Sequence, residues 1–183
     1  MNMKKIILPV AVVFLLSFYT ANTVYDYSIV LNDGNEVQLS AYSGKNIMIT
    51  ILPAVPNDSN KAILHNIDSM HNLYADSIVM IGIPSYEDGF EDDSLESVMN
   101  WYHSVFDTSF ILAQAMNTRK ASPYQSPLFK WLTHANENGH FNDDALGAGE
   151  NFFINEEGML TGLSVPGVML TKEIIDEIIQ IAD

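Results

Sequence analysis

The stretch "NIMITILPAVPNDSNKAILHNIDSMHNLYADSIVMIGIP", residues 46–84, decides the fold. It opens on an apolar run, Ile47, Met48, Ile49, Ile51 and Leu52 around a single Thr50, which reads as a strand buried on both faces and turns at Pro53 and Pro56. Ile63, Leu64, Ile67, Met70 and Leu73 then fall at helical spacing, with Asp58 or Ser59 expected as the N-cap. A second continuous run, Ile78 to Ile83, ends at Pro84. Strand, helix, strand in this order predicts a parallel pair joined by a right-handed crossover. In α/β proteins the loop at the carboxyl end of such a strand faces the ligand, and this loop offers no thiol, no histidine and no lysine before Lys61.

Working outward, "VYDYSIVLNDGNEVQLSAYSGK" (residues 24–45) alternates and turns at Asn32 to Gly34, which predicts a hairpin whose second arm is Glu36 to Leu39. On the other side an acidic loop, "SYEDGFEDD" (residues 85–93), leads into an expected helix from Ser94 to Phe106, opened by an Asp93-x-x-Glu96 capping pattern. "TSFILAQA" reads as a third strand, "SPLFKWLTHA" as a short helix with Pro127 in its first turn, and "ENFFINEEGMLTGLSV" as a hairpin turning at Asn155 to Gly158. "TKEIIDEIIQIA" closes the chain as an amphipathic helix, and the longest expected loop is His134 to Gly149. This order predicts a mixed sheet with helices on both faces, an α/β arrangement of the thioredoxin-like kind.

With 183 residues and 48% apolar content the chain suits one domain with its own core. Lys4 and Lys5 precede an apolar run from Ile6 to Phe18 and then small and polar residues, the layout of a secretory signal over residues 1–22 ahead of a domain over 23–183. The expected compartment is periplasmic or extracellular; an uncleaved N-terminal anchor is the alternative. Without Lys4 and Lys5, six basic residues face 23 acidic ones, a formal charge of −17. Such a surface repels nucleic acid and anionic lipid. There is no cysteine, so no disulfide framework, no thiol lipidation and no thiol mechanism is available.

Four segments together resemble the glutathione peroxidase family. "YDYSIVLNDGNEVQLSAYSGK" is similar to that family's opening strand, Asp-Gly turn, Leu-Ser-x-Tyr segment and Gly-Lys pair. "GIPSYEDGFED" stands where the family carries Phe-Pro-Cys-Asn-Gln-Phe-Gly-Gly, "SPLFKWL" looks like its Pro-Leu-Tyr-x-x-Leu helix, and "NFFINEEG" like its Phe-Leu-Val-Asp-x-x-Gly hairpin. The resemblance runs in order from Val24 to Ile179; exported thioredoxin-like redoxins share the β-α-β core more distantly.

The resemblance implies a peroxidase site, and this chain departs from it at each position. Counting from Gly44 and Lys45 places the peroxidatic cysteine or selenocysteine at Pro56. The glutamine that supports it falls on Glu87, the cysteine of Pro-Cys-Asn-Gln on Ser85, and the tryptophan and asparagine near Gly147 and Ala148. Attack on an O–O bond by this route needs a polarisable thiolate or selenolate, and proline supplies none. Glu87 beside a thiolate would also raise its pKa instead of lowering it. The expectation is therefore a domain with no catalytic residue, no cofactor and no metal, binding a protein or small molecule through its surface or old cleft. The alternative is a peroxidase or other oxidoreductase with a redox centre not visible in the sequence. Pro56, Glu87 and the Gly147 to Gly149 backbone are expected around one depression, within about two strand spacings (~10 Å).

Other groupings read more plainly. Glu87, Asp88, Glu91, Asp92, Asp93 and Glu96 lack the ordered spacing of a calcium loop and read as a solvated acidic face with a helix cap. His134 and His140 are separated by five residues with no second ligand cluster, so they read as exposed loop histidines. Ser59 and Ser85 lie outside any Gly-x-Ser-x-Gly elbow and read as cap or turn residues. Trp101, Tyr102, Phe129 and Trp131 read as packing residues. The short loop between Leu132 and Asn151 is comparable to that of monomeric members of the family, which implies a monomer.

Overall fold

The computed structural model describes residues 22–182, so the expected signal segment lies outside the described residues, apart from Asn22. Among the described residues no helix is long and apolar enough to cross a membrane. The run Asn46–Leu52 forms β3 and Ile78–Pro84 forms β4, paired in parallel from Asn46↔Ile78 to Leu52↔Pro84. Ile47, Ile49 and Ile51 enter one apolar cluster and Met48 and Leu52 a second, as the alternation of a strand covered on both faces requires. The helix between the strands, α1 (Asp58–Tyr74), packs Leu64 and Ile67 into the second cluster.

The remaining strands complete a mixed sheet in the order β5-β4-β3-β6-β7. Here β5 is Ile111–Leu112, β6 is Asn151–Ile154 and β7 is Leu160–Ser164; β6 and β7 run antiparallel to their neighbours. The N-terminal hairpin of β1 (Ser28–Val30) and β2 (Glu36–Gln38) forms a separate two-stranded sheet. One face of the main sheet is covered by this ribbon and by α3 (Pro127–Thr133), with Leu128, Phe129, Trp131 and Leu132 buried. The other is covered by α1, by α2 (Leu95–His103) through Val98 and Tyr102, and by α5 (Lys172–Ala182) through Ile175. Each fully buried aliphatic or aromatic side chain contributes about 1.5–3 kcal/mol, so the two clusters supply the stability of a chain that has no disulfide.

Local boundaries differ from the expectations where tertiary contacts decide them. The N-cap of α1 is Asn57, one residue ahead of Asp58 and two ahead of Ser59: its carboxamide oxygen accepts from the Asn60 N–H at 2.9 Å. The buried stripe of α1 runs through His71 and Tyr74, while Leu73 is exposed, because the His71 ring sits edge-on to Phe110 and its Nε2 meets Ser109 Oγ at 2.9 Å. At the start of α2 the Asp93-x-x-Glu96 pattern is not the cap. Instead the Ser94 hydroxyl closes on Glu91 through a single 3₁₀ turn, and the helix ends at His103, three residues before Phe106. The third strand is only two residues long. Beyond Leu112 the chain is taken over by the N-terminal ribbon through Leu31↔Ala113, and by the end of β4 through Ser85↔Met116. The loop from His134 contains one turn of helix, α4 (Ala135–Asn138), and the Asn138 side chain donates to the Trp131 and Phe141 carbonyls.

Candidate functional site

Three segments converge beyond the carboxyl ends of β3 and β4. The first follows Leu52. Pro53 and Ala54 are buried, and the buried Tyr102 hydroxyl donates to the Pro53 carbonyl at 2.9 Å; burial holds that phenol far above its ordinary pKa, so it remains a donor. Val55 and Pro56 then emerge into solvent. The Asn60 carboxamide donates to the Val55 carbonyl at 2.8 Å, which ties this turn to the first turn of α1. Pro56 has no N–H and no reactive side chain, so the loop presents an inert apolar surface at this strand end.

The second segment follows Pro84. Ser85 is buried, a 3₁₀ turn spans Tyr86–Asp88, and Gly89 adopts φ +90°. A Cβ at Gly89 would lie 3.3 Å from a Val55 methyl, so this turn abuts the first segment. Glu87 folds back on its own strand end. One carboxylate oxygen accepts from the Thr118 N–H at 2.9 Å, the Thr118 hydroxyl at 3.3 Å and the Ser85 hydroxyl at 3.2 Å. Asp88 takes the position facing the third segment. Its Oδ1 is 3.5 Å from Arg119 Nη2, and its Oδ2 is buried with no protein partner.

The third segment, residues 144–150, is hung from β3 by the Gly149 N–H to the Ile51 carbonyl at 2.8 Å and the Ile51 N–H to the Glu150 carbonyl at 3.0 Å. Glu150 is buried, its carboxylate accepting from the Leu146 N–H at 2.5 Å. Burial raises its pKa above the ordinary range, against the opposing N–H groups of Leu146 and Gly147 and the charge of Arg119. Arg119 Nη2 donates to the Leu146 carbonyl at 2.9 Å, and the Lys120 N–H donates to Asp144 at 2.8 Å. The Thr118 to Lys120 segment thus clamps both acidic segments: Thr118 holds Glu87, Arg119 spans Asp88 and Leu146, and Lys120 holds Asp144.

Gly147 lies at the centre of this clamp. Its φ is +122°, and a Cβ there would stand 2.5 Å from Asp88 Oδ1 and 3.1 Å from Arg119 Nη2. The space a tryptophan would need at this position is filled by the Asp88–Arg119 pair. The structure therefore brings Gly147 against Asp88, with Gly149 against Ile63 of α1, whereas the Glu87 carboxylate is engaged with Thr118 and Pro56 is exposed. Ala148 is half-buried between the two glycines. Arg119 and Glu150 are the residues that sequence reasoning missed, and Asp88, expected on a solvated acidic face, is instead mostly covered beside Arg119. The one available signal was Arg119, the sole arginine of an acidic chain. Of the loop histidines, His140 is exposed, while His134 is half-buried with its Nδ1 2.9 Å from the Lys130 carbonyl. Ser59 is an exposed residue of the first turn of α1.

No protein-family model matches the chain, and no curated protein matches it in sequence. Solved structures do. The apo form of Trgpx superposes with a TM-score of 0.65 at 21% identity, over 88% of this chain and 95% of that one. The glutathione-peroxidase-like T. cruzi GPX1 gives 0.64 at 14% identity, over 88% and 96%. The pneumococcal exposed lipoprotein thioredoxin (Etrx1) from Streptococcus pneumoniae strain TIGR4 gives 0.52 at 20% identity, over 83% and 96%. The fold is thioredoxin-like, of the glutathione-peroxidase-like form, and the chain that adopts it has no cysteine.

Proposed function

We propose, from a glutathione-peroxidase-like fold that holds no thiol, that this chain is a divergent relative of those peroxidases serving as an exported, non-catalytic binding domain for a protein or small molecule. The observation that carries the reading is a chain without cysteine whose Gly147 is crowded by an ion pair. By the resemblance, Pro56 would fall at the peroxidatic position, Ser85 and Glu87 at the supporting positions, and Gly147 and Ala148 at those of the tryptophan and asparagine. The Asp88–Arg119 pair against Gly147 fills the space the larger side chain would use. Loss of a single catalytic residue would leave a cleft shaped for peroxide. A cleft closed by an ion pair points to a scaffold that has stopped doing this chemistry.

Export is supported by the Lys4–Lys5 pair followed by an apolar run, and by a frame shared with an exposed lipoprotein thioredoxin. The acidic surface supports a soluble monomer through self-repulsion. The test is consumption of hydrogen peroxide or a lipid hydroperoxide by the purified domain with glutathione or thioredoxin as reductant, before and after chelator treatment. Rates equal to buffer are expected under both conditions. Turnover abolished by the chelator would instead establish a metal-dependent oxidoreductase.

A further inference from the structure

On the flank of the molecule beside the clamp, a cavity of about 200 Å³ is lined by Asn32, Tyr86, Phe90, Asp92, Leu95 and Ala115. Its aromatic wall is rigid: the Phe90 ring is buried and meets Tyr86 edge to face at 5.6 Å between centroids. The Tyr86 hydroxyl donates to Asp92 Oδ1 at 3.0 Å, which fixes the ring while leaving Tyr86 39% exposed. Leu95 is 44% exposed across the cavity, and Glu91, Asp93 and Glu96 are exposed next to it. A π face, a carboxylate beside it and an apolar shelf for a methylene stem are the features that recognise a lysine or arginine side chain. No basic residue lines the cavity to fill that role from within.

A second, larger cavity of about 390 Å³ shares Gln114 and Ala115 with the first and is lined further by Tyr27, Val30, Met116 and Leu128. It arises from the backbone. Around Leu31↔Ala113 the ribbon and the segment after β5 form a short ladder, with Gln114 N–H to the Val30 carbonyl at 2.8 Å and Asn32 N–H to the Leu112 carbonyl at 3.0 Å. Past that point Met116 turns to β4, its N–H donating to the Pro84 carbonyl at 3.0 Å, and the two strands part. β1 pairs with β2 along its other edge, so its outer edge near Ser28 borders the opening. An extended chain laid there would find a strand edge for its backbone and pockets for its side chains. Residues i and i+2 of such a chain point the same way about 6.8 Å apart, which suits two adjoining cavities.

Resting on the binding-domain reading above, we propose that this pair of cavities takes an extended basic polypeptide segment of a partner. An arginine or lysine enters between Tyr86 and Asp92, and an apolar residue two positions away enters the Tyr27–Leu128 cavity. Charge decides the occupant: the chain carries a formal −15, the smaller cavity has a carboxylate in its wall, three more exposed carboxylates lie in the same 91–96 stretch, and neither cavity is lined by a cation. Apolar lining around the larger cavity selects a polypeptide over a simple polyamine.

The experiment is fluorescence anisotropy with a labelled peptide, Gly-Ser-Leu-Thr-Arg-Thr-Ser-Gly, and its versions with Gln for Arg or Ser for Leu. Saturable binding is expected, weakened at least fivefold by either peptide change and at least fivefold by Tyr86→Ala or Asp92→Asn in the protein. Glu177→Gln, an exposed carboxylate on α5, should change it less than twofold. Asp92→Asn preserves side-chain size and guards against a folding defect in Tyr86→Ala. The proposal is overturned if the three peptides bind alike or not at all up to millimolar concentration. It is equally overturned if Glu177→Gln weakens binding as much as Asp92→Asn, which would mean diffuse charge attraction, or if spermidine binds as tightly as the peptide. None of these outcomes bears on peroxide turnover, which tests the binding-domain reading separately.

Discussion

Gly147→Ala probes the clamp most sharply. At φ +122° an L residue costs about 1–3 kcal/mol in backbone strain. The new methyl would also stand 2.5 Å from Asp88 Oδ1, a distance no relaxed contact reaches, so Asp88 must withdraw from Arg119. Arg119 is about one-third exposed and Asp88 mostly covered, so losing that pair adds about 0.5–1 kcal/mol after solvent screening. The expected total is about 1.5–4 kcal/mol, a fall of about 0.75–2 M in urea midpoint for a slope near 2 kcal/mol/M. The assay is urea unfolding followed by the fluorescence of Trp101 and Trp131. Gly34→Ala is the control: its φ is +88°, but nothing lies within 4 Å of its Cβ, so it reports backbone strain alone, about 1–2 kcal/mol. Adding Asp88→Ala to Gly147→Ala should recover about 1 kcal/mol of the predicted loss. If Gly147→Ala costs no more than Gly34→Ala, the clamp does not fill the space assigned to it.

Glu150→Gln tests the buried carboxyl by its sign. A carboxyl whose native pKa is raised stabilises fully below its unfolded pKa of about 4.3 and loses that stabilisation as pH rises through the native value. The variant should therefore gain on the wild type between pH 4 and pH 7 in paired urea titrations, and a difference that stays constant or reverses would refute it. Tyr102→Phe leaves the Pro53 carbonyl without its donor at the base of the loop and should cost about 1–2 kcal/mol in the same assay. Sedimentation at physiological salt should return the mass of a single chain; a dimer mass would contradict the self-repulsion argument.

The frame was legible because its signals are local. β3 and β4 are apolar runs that no surface strand tolerates, Asn32 to Gly34 and Asn155 to Gly158 are turn sequences, and Ser126 followed by Pro127 starts a helix by its own chemistry: the Ser126 side chain accepts from the Phe129 N–H at 3.3 Å. The boundaries that shifted are those set from a distance. Residues 113–116 look like the rest of β5, but they are drawn off by Leu31 on one side and Ser85 on the other. His71 displaces Leu73 from the buried stripe because a partner ring and hydroxyl wait for it across 39 and 38 residues. The same limit applied at the site. A count along the chain could assign Glu87 to a supporting position, but only the 3₁₀ turn decides which carboxylate faces which neighbour, and it gives Glu87 to Thr118 and Asp88 to Arg119. The pairing of Arg119 with the Leu146 carbonyl spans 27 residues and leaves no local pattern.

If the chemistry was lost together with the cleft that supported it, the thiol of Pro56→Cys will report that loss directly. The residue is exposed, Asp58 stands in the first turn of α1, and the Asn57 carboxamide already occupies the Asn60 N–H that a thiolate at a helix start could use. An ordinary thiol is expected, with a pKa of about 8.5 by the pH dependence of its reaction with a disulfide reagent, and no peroxide turnover with glutathione. A thiol titrating well below 7, with peroxide turnover from this single substitution, would show that the old cleft is intact and contradict the claim.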